Sequence, residues 1–277
     1  MPQDEIDQIR DSFYLTEEKI GLWYKIKILF RNKCFLYLVI ASGFRFFGGY
    51  ALGFLGATFF DHRYPDNQTQ FGYMNSVIVI GGGLPASLLG GYLSDKYEYK
   101  WGNIKGLIAG GGALAATPFI FFTYIIQPPF WWAILSYYLA YFLAEMWYGP
   151  AHAQINNLFP SQFQGFACAV FNMAGTVAGT ISTSLLSALY GKYDKDDTNP
   201  KNAGYILGAG VLFSYFMCFP FFLLSGNEYK KELAKRAKNL AEDNFGKKTV
   251  DENYEGGAAR EAALSLNHQS RKLDQSY

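Results

Sequence analysis

Cysteine and histidine are scarce in this 277-residue chain, with three of each. Cys34, Cys168 and Cys218 all fall in apolar segments, and no CxxC pair or Cys/His cluster exists. That argues against a disulfide framework and a zinc site and leaves small packed hydrophobes. An excess of either charge is missing too: 24 Lys and Arg stand against 23 Asp and Glu. Without a basic run, nucleic acid is not an expected partner. The runs Gly81-Gly82-Gly83 and Gly110-Gly111-Gly112 have no GxxxxGK or GxGxxG context, which argues against a phosphate cradle. No nucleophile–His–acid constellation occurs. An enzyme is not expected, nor is a cofactor or a bound metal. The start, MPQDEIDQIRDSF, is acidic and mixed, unlike a cleavable signal or an Arg-rich transit peptide.

What the chain has is apolar length. Half of it is hydrophobic and 18% aromatic, yet its mean hydropathy is near zero because polar residues gather at the ends. A membrane-spanning helix needs about 20 mostly apolar residues. Six segments meet this: 34–60, 71–93, 103–126, 129–157, 163–190 and 203–225. DHRYPDNQTQ, SDKYEYKWGN and GKYDKDDTNPKN supply polar turn chemistry after the first, second and fifth. With loops this short, consecutive helices are expected to be antiparallel neighbours. The chain divides into a lead-in over 1–33, a membrane domain over 34–225 and a polar, charged tail over 226–277.

Lys and Arg near the span ends give the orientation. Lys19, Lys25, Lys27, Arg31, Lys33, Lys96, Lys100, Lys105, Lys230, Lys231, Lys235, Arg236 and Lys238 share the side of both termini. Arg63, Lys192, Lys195 and Lys201 lie on the other. Both termini are therefore expected on the cytosolic or matrix-equivalent side. Asn67 begins an Asn-Gln-Thr glycosylation sequon on the opposite side. The lead-in EEKIGLWYKIKILFRNK mixes Trp23, Ile26, Ile28 and Leu29 with basic residues, which suits an interfacial helix. In the tail, NEYKKELAKRAKNLAEDNF has helical propensity.

Arg45 lies near the middle of the first span, where a charge costs on the order of 3 kcal/mol or more. Glu145, within the fourth span, is the available opposite charge. His152 follows Glu145 by seven residues, on the same face of a continuous helix. It suits a proton relay, a solute contact or a hydrogen-bonded core histidine. Asn156, Asn157 and Asn172 suit a cavity lining or bonds between helices. Gly49-xxx-Gly53 and Gly175-xxx-Gly179 fit close helix contact.

The second span ends in Gly90-Gly91-Tyr92-Leu93-Ser94-Asp95-Lys96, with Lys100 four residues on. This resembles the cytoplasmic motif of the major facilitator superfamily, G-x-L-x-D-[RK] followed by basic residues, which lies after the second helix of each six-helix half. Trp147-Tyr148-Gly149-Pro150-Ala151, Leu158-Phe159-Pro160 and Gly165-Phe166-Ala167 resemble the tenth-to-eleventh helix region of Spinster-like members. The glycine-rich fifth span resembles the eleventh helix, and WYKIKILFRNKCFLYL the entry to the seventh. The resemblance covers about residues 20 to 225, the C-terminal half of a twelve-helix transporter. Glu98 and Tyr99 depart from the motif's usual glycine and basic residue. Gln162 and Gln164 stand where basic residues follow the tenth helix.

The resemblance implies an all-α integral membrane protein, a six-transmembrane-helix half of the major facilitator fold. It implies that Gly91, Asp95, Lys96 and Lys100 form a gating latch, with Asp95 meeting a neighbouring helix N-terminus; a plain polar loop is the alternative. It places Arg45, Glu145, His152 and Asn156 on a central cavity, where Arg45 and Glu145 form a solute anchor or a structural ion pair. The expected function is alternating-access transport of a small organic anion or amphiphile, alongside a second six-helix half (separate chain or second copy). The alternative is a half-transporter kept as a structural subunit of a large membrane complex, such as a respiratory assembly of the mitochondrial inner membrane.

Overall fold

The structure, a computed structural model, describes residues 21–194 and 201–273, with side chains over 21–191 and 202–238. The first 20 residues and the loop over 195–200 lie outside the described residues, and so do the side chains of Lys192, Lys195 and Lys201. Among the described residues all regular structure is helical. Helix α1 (Leu22–Arg31) is the lead-in, and α2 (Lys33–Arg63) the first span. Asn32 separates them in an extended conformation, its side chain accepting from the Phe35 amide. Tyr64 and a 3₁₀ turn at Pro65–Asn67 lead into α3 (Gln68–Ile78), a π turn at Val79–Gly83 and α4 (Leu84–Glu98). Then come α5 (Ile104–Phe121), which ends in a π turn at Phe122–Ile126, and α6 (Phe130–Glu145). Helices α7 (Tyr148–Leu158), α8 (Ser161–Asp194) and α9 (Lys201–Leu273) complete the order. The chain forms two compact units, residues 1–230 and 231–277. In the second, Arg236 pairs with Glu232 one turn back, 3.6 Å away.

Five helical stretches among the described residues are long and apolar enough to cross a membrane: Lys33–Arg63, Pro65–Glu98, Ile104–Ile126, Ser161–Gly191 and Asn202–Lys238. The expected fourth span, 129–157, is not one helix. It breaks at Met146 and Trp147 into α6 and α7, of 16 and 11 residues. Proline explains the break. Pro150 has no N–H for the Met146 carbonyl, and its ring clashes with a straight helix there. Two other prolines are accommodated differently. Pro85 cannot donate to the Gly81 carbonyl, and the helix widens into the π turn over Val79–Gly83. Pro118 frees the Leu114 carbonyl inside α5, and the Thr117 hydroxyl donates to it at 2.7 Å. At bilayer depth, where water is absent, such partners are required.

Consecutive helices are not always the principal partners. A broad contact joins α2 to α8, while α4 packs on α7 and α5 on α6. Between membrane helices the driving forces are close packing and hydrogen bonds rather than water exclusion. Glycine supplies the closeness. A Cβ on Gly175 would fall 2.2 Å from the Phe46 ring, and one on Gly179 2.4 Å from Tyr50. The α2 aromatics thus sit in the glycine notches of α8, and Ser182 Oγ donates to the Phe47 carbonyl at 2.7 Å. The expected contact at Gly49-xxx-Gly53 does not form as a helix crossing. Gly53 faces open space, and Gly49 makes room for the Arg45 guanidinium, with Nη1 3.0 Å from where a Cβ would stand.

At the end of the bundle opposite the motif, Gln127 turns the chain with a left-handed φ of 56°. Arg63 Nε donates to its side-chain oxygen at 3.2 Å, and Tyr64 donates to the Pro128 carbonyl. Burial raises the Tyr64 phenol above its ordinary range, against the pull of Arg63, so the hydroxyl keeps the proton it donates.

Candidate functional site

The interruption of the fourth span leaves α6 with free backbone acceptors, since the last four carbonyls of a helix have no intrahelical partner. Arg45 from α2 meets that end. Its Nε donates to the Ala144 carbonyl at 3.1 Å, and its Nη2 to Glu145 Oε1 at 2.8 Å. The cation also stands at the negative end of the helix dipole. Its Cζ lies 4.8 Å from the Tyr215 ring and 5.7 Å from the Trp147 ring. Arg45 is only 2% exposed, whereas the Glu145 side chain keeps 24%. Arg45 therefore does not present its charge to an open face. The group that reaches the surface is Glu145.

Beside the pair runs a sheet of aromatic rings from α2, α7 and α8. Phe46 meets Tyr50 at 6.1 Å, Trp147 at 5.2 Å and Phe171 at 6.4 Å between centroids. Tyr148 stacks near His152 at 4.2 Å, and His152 meets Phe171 edge-on at 5.4 Å. Phe46, Tyr50 and His152 are half-buried, and Tyr148 is exposed. The Trp147 indole nitrogen is buried and has no acceptor among the described residues. The arrangement offers apolar ring faces bordered by a carboxylate and an imidazole.

The helix break changes the place of His152. It is not two straight turns along from Glu145, because Met146 and Trp147 intervene as a turn. Its Nδ1 lies 3.2 Å from the Tyr148 carbonyl, a contact within α7. Asn156 is exposed and stands at the edge of the wall; its carbonyl accepts from Gln164 at 2.7 Å, and its side chain lies 3.9 Å from Cys168 Sγ. Asn172 bonds within its own helix, to the Cys168 carbonyl at 3.0 Å. Asn67 closes the 3₁₀ turn and donates to Gln70.

The motif residues occupy the end of α4. Gly91 packs on α7, with Gly149 Cα 3.8 Å from where its Cβ would be. Conversely, a Cβ on Gly149 would fall 2.5 Å from the Ser87 carbonyl, and one on Gly90 2.1 Å from the Met146 carbonyl. Asp95 pairs with Lys105, in the first turn of α5, at 3.3 Å. Lys96 lies 5.6 Å from the Tyr92 ring, and Lys100 is exposed. Sequence reasoning missed Lys105 and Tyr229 as buried partners. Lys105 was legible only as a span-end charge, and Tyr229 only as part of an apolar stripe. It also missed Tyr148 and Tyr215, which apolar segments rich in aromatics do not single out.

The profile of the Major Facilitator Superfamily matches residues 10–183. Among solved structures, the chain is similar to a bacterial homolog of the human lysosomal transporter Spinster, captured inward-facing and unoccupied. The TM-score is 0.55 at 16% identity, over 78% of this chain and 52% of that one. The chain thus spans about half the length of the structure it matches. No curated protein matches it.

Proposed function

The chain belongs to the major facilitator superfamily, and we propose that it is one six-helix bundle of a membrane solute transporter. It works by alternating access with a second six-helix unit, a separate chain or a second copy. Both termini face the cytosolic or matrix-equivalent side. The observation that carries the reading is the broken fourth span, with the buried Arg45 paired to the partly exposed Glu145 at its break and the aromatic wall beside it. Transporter sites form where discontinuous helices meet the interface between repeats near the midplane.

The geometry bears on the solute. Arg45 is enclosed by Ala144, Glu145, Tyr215 and Trp147. A small organic anion held by Arg45 therefore has no open anchor. An amphiphile fits better, its apolar part on Phe46, Tyr50 and Tyr148 and its polar part near Glu145, His152 and Asn156. The test is uptake of a fluorescent single-chain amphiphile into membrane vesicles from cells carrying the chain and cells lacking it. Chain-dependent uptake that falls about tenfold in His152→Ala supports the site, the loss of one polar contact being enough. Equal uptake in both vesicle types refutes transport.

The second reading, a structural subunit of a large membrane complex, draws on Gln164. At a position where the family carries a basic residue, its amide donates to the Asn156 and Phe159 carbonyls at 2.7 and 3.2 Å. A residue expected to be basic serves here to tie down a loop. On this reading Arg45–Glu145 is a staple between helices, and the assembly can be one of the mitochondrial inner membrane.

A further inference from the structure

The end of the bundle that carries the motif holds a charged side chain with no exposure: Lys105 is 0% accessible. A buried ammonium is tolerated only when its donors are met and its charge is opposed. Lys105 has three donors. Glu98 Oε2 lies 2.5 Å from its Nζ, Asp95 Oδ1 3.3 Å and the Tyr229 hydroxyl 3.4 Å. The network closes on itself. The Tyr229 hydroxyl donates to Glu98 Oε1 at 2.7 Å and accepts from Asn157 Nδ2 at 2.8 Å. These groups come from the ends of three helices, α4, α5 and α7, and from within α9.

Backbone packing brings the groups together. A Cβ on Gly106 would fall 2.2 Å from the Phe222 carbonyl and 2.8 Å from Gly226 Cα. The two glycines let α5 and α9 touch, which sets Lys105 beside Tyr229, its Nζ 5.3 Å from the ring. Asn103 Nδ2 donates to Asn227 Oδ1 at 3.2 Å in the same seam. A polar network that satisfies a buried charge favours one arrangement of the elements it joins.

The geometry points to Lys105 as the residue that positions the motif's carboxylates and, through Glu98 and Tyr229, clamps the ends of α4, α5 and α7 to α9. The motif thus acts inside this bundle, and its departure from the family pattern at Glu98 supplies the clamp's shortest contact. The inference holds for a transporter and for a structural subunit alike.

The test is amide hydrogen exchange of the full chain in lipid nanodiscs, read by mass spectrometry. Tyr229→Phe removes one hydroxyl and no packing volume of note. It should speed exchange about tenfold or more at the ends of α4 and α7 and around Tyr229 in α9 together, the equivalent of losing hydrogen bonds to a charged group. Exchange near Tyr64 and Gln127, at the far end, should stay unchanged. Lys105→Met and Glu98→Gln should each do the same, and the pair together should do less than the product of the two. Should Lys105→Met fail to fold, Tyr229→Phe carries the test by itself. Acceleration confined to the substituted helix, acceleration spread evenly through the chain, or no change would each overturn the clamp.

Discussion

At the residue scale, the buried pair dominates. Arg45 and Glu145 meet at 2.8 Å, with the arginine almost fully buried. Arg45→Ala would leave the half-buried Glu145 without its partner and the Ala144 carbonyl without its donor, at a cost of about 1–3 kcal/mol. Removing both charges together should recover much of that loss. A thermal unfolding cycle over the two single variants and the double one checks this; additive losses would show that the pair is not coupled. Both members were legible in the sequence, because a charge inside an apolar run is conspicuous. Lys105 was not. At a span end a lysine reads as a headgroup-level cation, and nothing local announces that Glu98 and Tyr229, 7 and 124 residues away, enclose it. His152 was legible as a polar residue, but its relation to Glu145 was not, since that depended on an unbroken helix.

At the element scale, glycines sort by what faces them. Gly149 abuts the Ser87 carbonyl and Gly90 the Met146 carbonyl, both backbone atoms that cannot rotate away. Gly149→Ala should destabilise the α4–α7 crossing by about 1–3 kcal/mol through overpacking. Gly53→Ala meets open space and should be neutral or stabilising by up to about 1 kcal/mol, the helix preference of alanine over glycine. Melting temperatures of the two variants decide it; a Gly149→Ala protein as stable as the parent would contradict the crossing. Apolar length made most span limits readable to within a few residues, although the second stretch begins at Pro65 and the last runs on to Lys238. The break in the fourth escaped, because Trp147 and Tyr148 keep the run apolar, although Gly149-Pro150 carried the signal. Helix partners were less readable: a GxxxG spacing shows that something packs closely, not that Phe46 and Tyr50 are what packs on Gly175 and Gly179.

At the scale of the whole molecule, a membrane bundle of this family that spans about half of its solved relative raises the question of what stands opposite the aromatic wall. Arg45, Glu145 and their ring neighbours explain how one bundle keeps a charge pair beside a broken helix. The proposed transport calls for a second body for the wall to face. The most direct measurement is native mass spectrometry of the chain, gently extracted from its own membrane. The account predicts a species holding the 31.1 kDa chain and one further six-helix unit, either a distinct partner or a second copy. The chain by itself, or the chain held in a many-subunit assembly, would contradict a two-bundle transporter, and the second of these outcomes would favour the structural subunit.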